Sequence, residues 1–226
     1  MTGRRLLKDT AYDVLRAAIV AGDLEPGATV SEGDLAARLG VSRAPVRAAL
    51  ARLADDGLVE TKPQSFTRVT PVVDREVRDA VAVVRAMHEL VVGLAVPRLR
   101  AGDLAAMAAA NSAFTAAVSA GDVEGALIAD DEFHDIPVRV AGNRPAAATI
   151  ERFTPLIRRL ERARFSEVPG RESVRLHTQL LRAFGDRDVE LAVTTTTRIW
   201  GALEQQLDVP APDLETSRRS RRAATR

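Results

Sequence analysis

The chain has 226 residues, 46% of them hydrophobic, with a formal net charge of +1, so it is long enough for two small domains and is not globally disordered. It contains no cysteine, which excludes disulfides, thiolate metal sites and cysteine nucleophiles. No apolar run approaches the roughly 20 residues of a membrane span, and no signal-peptide core follows the basic start, so we expect a cytoplasmic protein without membrane contact.

The first elements in chain order are two helices separated by a turn. Apolar residues recur at helical spacing over residues 10–21, and residues 24–27 (LEPG) are typical of a turn. Ser31 is a predicted N-cap, with Asp34 three residues later, and Gly40 ends the short helix that follows. The spacing therefore predicts two helices before residue 41.

A third helix and a hairpin complete the N-terminal part. Ser42 is a predicted N-cap, and Pro45 lies in the first helical turn, where the missing N–H costs little. The helix is expected to end at Gly57, and residues 58–60 and 67–69 resemble two short strands. Residues 1–72 thus predict a winged helix-turn-helix of three helices plus a small β-hairpin.

The remaining residues predict a mainly α protein, with an all-α helical bundle over residues 73–209. Three prolines, at positions 97, 137 and 155, fall inside predicted helices and indicate kinks or earlier helix ends. Residues 210–226 lack apolar periodicity and predict a disordered basic tail. The predicted helices span residues 74–100, 103–119, 122–140, 145–165, 171–185 and 188–207.

The turn between the second and third helices indicates DNA binding. Arg43 and Arg47 lie one turn apart on the face opposite the apolar residues of the third helix, within reach of phosphates or guanine edges. Small Ala44 and Ala48 let this helix approach a groove closely. The alternative is that both arginines are ordinary surface residues. Residues 1–70 contain ten Lys/Arg and nine Asp/Glu. Affinity for DNA must therefore come from the positions of the arginines rather than from net charge.

Three stretches of this region carry a family signature: residues 21–27 (AGDLEPG), 40–50 (GVSRAPVRAAL) and 56–59 (DGLV). They resemble the GntR family of bacterial regulators. The resemblance implies a homodimer on a palindromic operator, with Ser42, Arg43, Pro45 and Arg47 at the DNA and Gln64 at the wing tip. Phe66 stands where the family usually has a wing glycine, which puts wing geometry in question.

The helical region contains one cluster with metal-ligand character. Asp130 and His134 are four residues apart and share a helix face, and His177 lies on a later helix. A carboxylate with two imidazoles suits Zn, Ni, Mn or Fe(II). The alternative from spacing alone is an ordinary exposed pair.

Residues over 74–208 resemble the FCD ligand-binding domain of the FadR branch. The matching residues are Arg85, Glu89, 130–134 (DDEFH), 141–143 (AGN), His177, 183–184 (AF) and 187–188 (RD). Many members hold a divalent metal with one Asp and three His, and three of those positions match Asp130, His134 and His177. Ile199 takes the fourth, so the site either keeps three ligands or has lost its metal.

The family resemblance also implies a small organic-acid effector. Arg85 is the leading candidate for gripping its carboxylate, with pairing to Glu89 as the alternative, and Arg139 and Asn143 are further candidates. We expect a regulator, most often a repressor, that is not an enzyme. Two alternatives stay open: a metal-dependent enzyme using the Asp/His/His cluster, and a DNA-binding protein with a degenerate sensor pocket.

Overall fold

The structure is a computed structural model that describes residues 2–62, 65–164 and 171–207, with side chains over 10–62, 65–162 and 172–205. Gln64 and the predicted basic tail at 210–226 lie outside the described residues. Over the described ranges, no helix is both long and apolar enough to cross a membrane. The predicted fold class is confirmed: a three-helix winged domain precedes an all-helical region.

The N-terminal domain contains three helices and a small sheet. Their bounds are α1 Thr2–Ala21, β1 Thr29–Val30, α2 Glu32–Leu39, α3 Arg43–Asp55, β2 Val59–Lys62 and β3 Phe66–Val69. The helix predicted over 10–21 begins eight residues earlier. Strand β1 was not predicted, because two residues carry no periodicity; it exists through its pairing with β3. The antiparallel strand order is β1-β3-β2.

The helix-turn-helix is held by one cap, one left-handed turn and a shared core. The Asp34 amide donates to Ser31 Oγ at 3.0 Å, as predicted. Gly40 has φ 65°, the left-handed conformation that ends α2. Ser42 occupies the N-cap position of α3, but its side chain accepts no capping hydrogen bond, which corrects the prediction. Buried Leu35, Val46 and Leu53 join α2 and α3 to the α1 core.

The C-terminal region is a bundle of six helices within the described residues. Helix α4 packs against α6, α7 and α9, and α8 packs against α5 and α9. Buried Phe133, Leu180 and Phe184 are central to its core. The helix bounds are α4 Asp74–Ala95, α5 Ala101–Ala120, α6 Val123–Ala141, α7 Arg144–Arg164, α8 Arg171–Gly185 and α9 Val189–Leu207.

The three prolines behave in two ways. Helix α4 ends at Ala95 rather than near residue 100, two residues before Pro97. Val96 still has helical torsions and donates to the Val92 carbonyl, and the helix stops there because Pro97 has no N–H to continue the hydrogen-bond ladder. Pro137 and Pro155 remain inside α6 and α7, where packing on neighbouring helices compensates for a lost backbone hydrogen bond. The threonine run at 194–197 is likewise helical, since Thr196 is buried and its hydroxyl donates to the Ala192 carbonyl at 2.9 Å.

We predict that Gly40→Ala lowers the free energy of unfolding by about 1–2 kcal/mol, because an L-residue pays that amount in the left-handed region. A Cβ at Gly40 meets no atom within 4 Å, so the cost is conformational rather than steric. Gly102→Ala, in the first turn of α5 and equally free of neighbours, is the matched control and should be neutral or stabilising. Urea denaturation of both variants measures the difference, and equal stabilities would contradict this account of the turn.

Candidate functional site

The predicted DNA-contacting residues Ser42, Arg43, Pro45 and Arg47 lie at the start of α3. The side chains of Ser42, Arg43 and Arg47 are exposed, and Pro45 is half-buried in the first turn. The Arg47 side chain is 69% exposed. These residues therefore lie on the solvent-facing side of the helix whose opposite side, with Val46 and Leu50, enters the core.

Glu32 of α2 holds Arg47 in place, a contact that sequence reasoning missed. Arg47 donates from Nε to Oε1 at 2.9 Å and from a terminal nitrogen to Oε2 at 2.8 Å. The hydrogen bond from Arg47 lowers the pKa of Glu32, so the carboxylate stays ionised. A planar bidentate pair fixes the direction of a long side chain. Next to it, Gly33 leaves room for the Arg43 guanidinium, which lies 3.3 Å from where a Cβ would be.

The wing accommodates Phe66 without strain. Among the described residues, only Arg187 has a positive φ apart from glycines, so Phe66 needs no glycine-like backbone. The Arg68 guanidinium lies over the Phe66 ring, 4.7 Å from its centroid, and pairs with Glu60 across the hairpin. The substituted position thus forms a cation–π contact on an ordinary hairpin.

The three predicted metal ligands do come together in the bundle. Asp130 Oδ1 lies 3.4 Å from His177 Nε2 and 3.8 Å from His134 Nε2. The side chain of Asp130 is 15% exposed, that of His177 is 0% exposed and that of His134 is 8% exposed. Among the described residues, these three form the one group whose ligand atoms all lie within 4.8 Å of each other. The alternative of an ordinary exposed pair is therefore wrong.

Arg158 of α7 completes this cluster, and nothing in its sequence context singled it out. Its guanidinium donates to Asp130 Oδ2 at 2.5 Å, to Asp131 at 2.6 Å and to Glu161 at 2.5 Å. The side chain is 8% exposed. Asp130 thus presents one oxygen to the imidazoles and the other to Arg158, which is how ligating carboxylates are commonly oriented by a neighbouring donor.

Charge in this cluster is unbalanced. Three carboxylates against one guanidinium leave two negative charges when all are ionised. Burial raises the pKa of Asp130, but Arg158 and the two imidazoles outweigh it and hold that pKa well below its usual range. Glu161 relieves part of this excess charge by binding a proton more readily. Burial raises its pKa to about 7, although Arg158 lowers it.

The donor set fits a divalent cation. Burial lowers the pKa of His134 to about 3 and also lowers that of His177, so both imidazoles are neutral near pH 7, the form that binds metals. Both ring nitrogens of buried His177 lack a hydrogen-bond partner in the protein, which is costly unless a ligand satisfies one of them. A charge of +2 would also balance the carboxylates.

Ile199, which the family resemblance placed at the fourth ligand position, is apolar. Ile199 is partly buried and packs on the core of the bundle. His88 lies nearby, with its ring 5.6 Å from that of His134 and stacked on Trp200 at 4.9 Å, yet it is not among the converging ligand atoms. A metal held here would have three protein ligands and open positions.

The effector candidates do not converge on this cluster. Arg85 donates to Glu204 at 2.7 Å and lies 3.8 Å from Glu89, so its charge is already paired between α4 and α9. Arg139 and Asn143 line a surface cavity of about 700 Å³, whose lining does not include Asp130, His134 or His177. The Asn143 side chain also accepts from the Ala146 amide at 3.2 Å, so it caps α7.

A winged helix-turn-helix with an exposed arginine pair, attached to a helical bundle, is typical of a DNA-binding transcription regulator. Two family models match the chain: the bacterial regulatory proteins of the gntR family over residues 7–69, and the FCD domain over residues 78–202. The chain belongs to the GntR family and carries an FCD domain. It is a DNA-binding transcription regulator and not an enzyme.

Relatives and solved structures agree with this assignment. The HTH-type transcriptional repressor RspR of Escherichia coli K12 is 28% identical over 81% of this chain and 82% of its own length. A probable D-xylose utilization operon repressor of Paenarthrobacter nicotinovorans is 28% identical over 84% and 86%. The structure of E. coli McbR/YncC matches with TM-score 0.79 and 24% identity, over 88% of this chain and 98% of that one, and supports the fold.

We predict that Arg47→Ala weakens operator binding by about 1–3 kcal/mol, the usual value of one base-reading arginine. The measurement is fluorescence anisotropy on a duplex selected from random sequences with the wild-type chain. Arg175→Ala is the matched control, because Arg175 is an exposed arginine held bidentately by Glu172 on the bundle. Unchanged affinity in Arg47→Ala would show that the recognition face lies elsewhere.

Proposed function

We propose that this regulator is a cytoplasmic repressor of the FadR branch, which binds a palindromic operator as a homodimer under the control of a small organic acid. The observation that carries the proposal is the buried cluster of Asp130, His134 and His177 inside a domain attached to a DNA-reading helix. The cluster leaves both ring nitrogens of buried His177 without a hydrogen-bond partner in the protein, which is costly unless a ligand satisfies one of them. The names of relatives as repressors support repression rather than activation.

The cluster is proposed to hold one divalent transition metal. Asp130, His134 and His177 supply one oxygen and two nitrogens on one side, an arrangement that suits Zn, Ni, Mn or Fe(II) and leaves positions open. A bound cation would supply electrostatic attraction for the carboxylate of an organic acid. Arg158 fixes the direction of the Asp130 carboxylate, and buried Phe133, stacked on His177 at 4.3 Å, fixes the imidazole plane.

One observation favours a second candidate, a regulator whose sensor has lost its metal. Arg158 already neutralises part of the Asp130 charge at 2.5 Å, and Ile199 replaces the expected fourth ligand. In that case the guanidinium serves as the permanent cation of the cluster. Metal content separates the two candidates directly.

We expect the protein, purified without chelator or nickel resin, to contain about one equivalent of a transition metal per chain by mass spectrometry. Asp130→Asn should lose the metal, because it removes the charge that faces the imidazoles while keeping the shape. Asp131→Asn is the matched control, since Asp131 also bonds Arg158 but does not face the imidazoles. A metal-free wild-type protein that also fails to bind added Zn²⁺ would favour the degenerate sensor.

The proposed dimer surface is an apolar stripe on α4, formed by Val83, Met87, Leu90 and Leu94. Their spacing of four, three and four residues places them on one helix face. Val83 and Leu90 are 41% and 44% exposed, and Met87 and Leu94 are half-buried. Exposed leucine and valine in a continuous stripe are typical of a protein–protein interface.

We therefore expect Leu90→Glu to shift the protein from dimer to monomer, because it places a charge in the centre of this stripe. Light scattering at micromolar concentration measures the change. The control is Val189→Glu, equally exposed at 44% but on the first turn of α9. A monomeric wild-type protein, or a dimeric Leu90→Glu, would contradict the assignment.

A further inference from the structure

We propose that Arg158 and Arg159, adjacent on α7, couple the Asp130 cluster to the DNA-binding domain, so that occupation of the cluster changes how the two domains are held together. This inference rests on the proposed function, because it concerns how that same site is read out. It assigns a positioning role to Arg158, a coupling role to Arg159, and a bridging role to α7.

On the bundle side, two guanidiniums of α7 pair with carboxylates of α6: the exposed-side pair is Arg162 with Glu124, and the buried one is Arg158. Arg158 contacts Asp130 and Asp131 on α6 and Glu161 on its own helix. The guanidinium thus shares Asp130 with the two imidazoles. A cation bound at the free oxygen of Asp130 would compete with Arg158 for the negative charge of that carboxylate. It would therefore weaken the Arg158–Asp130 contact between α7 and α6.

The next residue faces the other domain. Successive helix positions are about 100° apart around the axis, so neighbours can serve two surfaces. Arg159 donates to Thr70 Oγ1 at 3.1 Å and also to the Thr70 carbonyl oxygen. The Arg159 side chain is buried, and the acceptors that it contacts belong to a neutral residue. A buried guanidinium held by neutral acceptors is an expensive contact that a small shift can break.

Thr70 connects this contact to the end of the recognition helix. The Thr70 hydroxyl donates to the Gly57 carbonyl at 2.8 Å, and its amide donates to the Leu58 carbonyl at 3.1 Å. Gly57 and Leu58 immediately follow α3. Arg159 therefore bonds the residue that fixes the C-terminal end of the DNA-reading helix.

Two further contacts place the same face of α7 on the DNA-binding domain. Arg152 donates to the Asp55 carbonyl at 2.5 Å and lies 3.7 Å from the Asp56 carboxylate. Leu156 packs against the cores of both domains. Arg152, Leu156 and Arg159 follow the i, i+4, i+7 spacing of one helix face. A rotation or slide of α7 would thus be transmitted directly to α3.

The test uses protein that a chelator has first freed of metal, Zn²⁺ as the probe and two spectroscopic readouts. The chain has one tryptophan, Trp200, whose ring lies 6.2 Å from that of His134, so its fluorescence reports occupation of the cluster. Because the chain has no cysteine, Arg38→Cys and Ala116→Cys provide unique spin-label sites on α2 and α5. Pulsed dipolar spectroscopy then measures the distance between the two domains with and without Zn²⁺.

In the labelled parent, Zn²⁺ should shift the interdomain distance distribution. Arg159→Gln should lose that shift while Trp200 fluorescence still responds to Zn²⁺, which a merely structural role would not produce. Arg162→Gln is the matched control: Arg162 lies one turn later and pairs with Glu124 of α6, so the shift should be retained. Arg158→Lys, which keeps the charge but not the three-way contact, should also lose the shift.

The outcomes separate the two proposals. If Trp200 shows no saturable response to Zn²⁺ that Asp130→Asn abolishes, metal binding at the cluster is overturned, and the coupling is overturned with it. If Trp200 responds but the parent shows no distance shift, the coupling alone is overturned. If Arg159→Gln keeps the full shift, the coupling through Thr70 is likewise overturned, while the metal site stands.

Discussion

The burial of one guanidinium among three carboxylates is the constraint on which the rest of the structure depends. Arg158 is 8% exposed and bonds Asp130, Asp131 and Glu161. Removing either side of such a pair leaves uncompensated charge in the interior, at a cost of several kcal/mol. The cluster therefore sets where α7 lies against α6, and it orients Asp130 toward the histidines. The polar centre of the bundle and the position of its bridging helix have one physical cause.

The same helix contacts both the buried polar cluster and the N-terminal domain. Helix α7 contacts α1 and, through Arg152, the C-terminal end of α3. The bundle therefore packs against the N-terminal domain near the end of α3. On the opposite side of α3, the Glu32–Arg47 pair fixes the direction of the base-reading candidate. A long arginine held in this way loses less conformational freedom on binding DNA. Arg47 and Arg158 are thus both fixed by a carboxylate of a neighbouring helix.

Local signals in the sequence were enough to predict the helix-turn-helix and the helical bundle. Ser31, Gly40 and the apolar spacing of α3 act over a few residues, so they can be read without the fold. The i, i+4 spacing of Asp130 and His134 likewise placed both side chains on one face. Strand β1 and the uncapped Ser42 were not predicted correctly, because pairing and cap geometry are settled by distant residues. Pro97 did indicate an earlier end for α4, and the structure places that end at Ala95.

The sequence by itself determined the class of protein, its two-part architecture and three of the residues at its buried polar centre. Only the tertiary structure decided that Arg158 stands beside Asp130, that Glu32 holds Arg47, and that Arg85 is paired with Glu204. Those contacts join residues 15 to 119 positions apart. Arginine is common on helix surfaces, and which carboxylate it pairs with depends on which helices pack against its own. The burial that makes a charge significant is therefore a property of the fold and not of the local sequence.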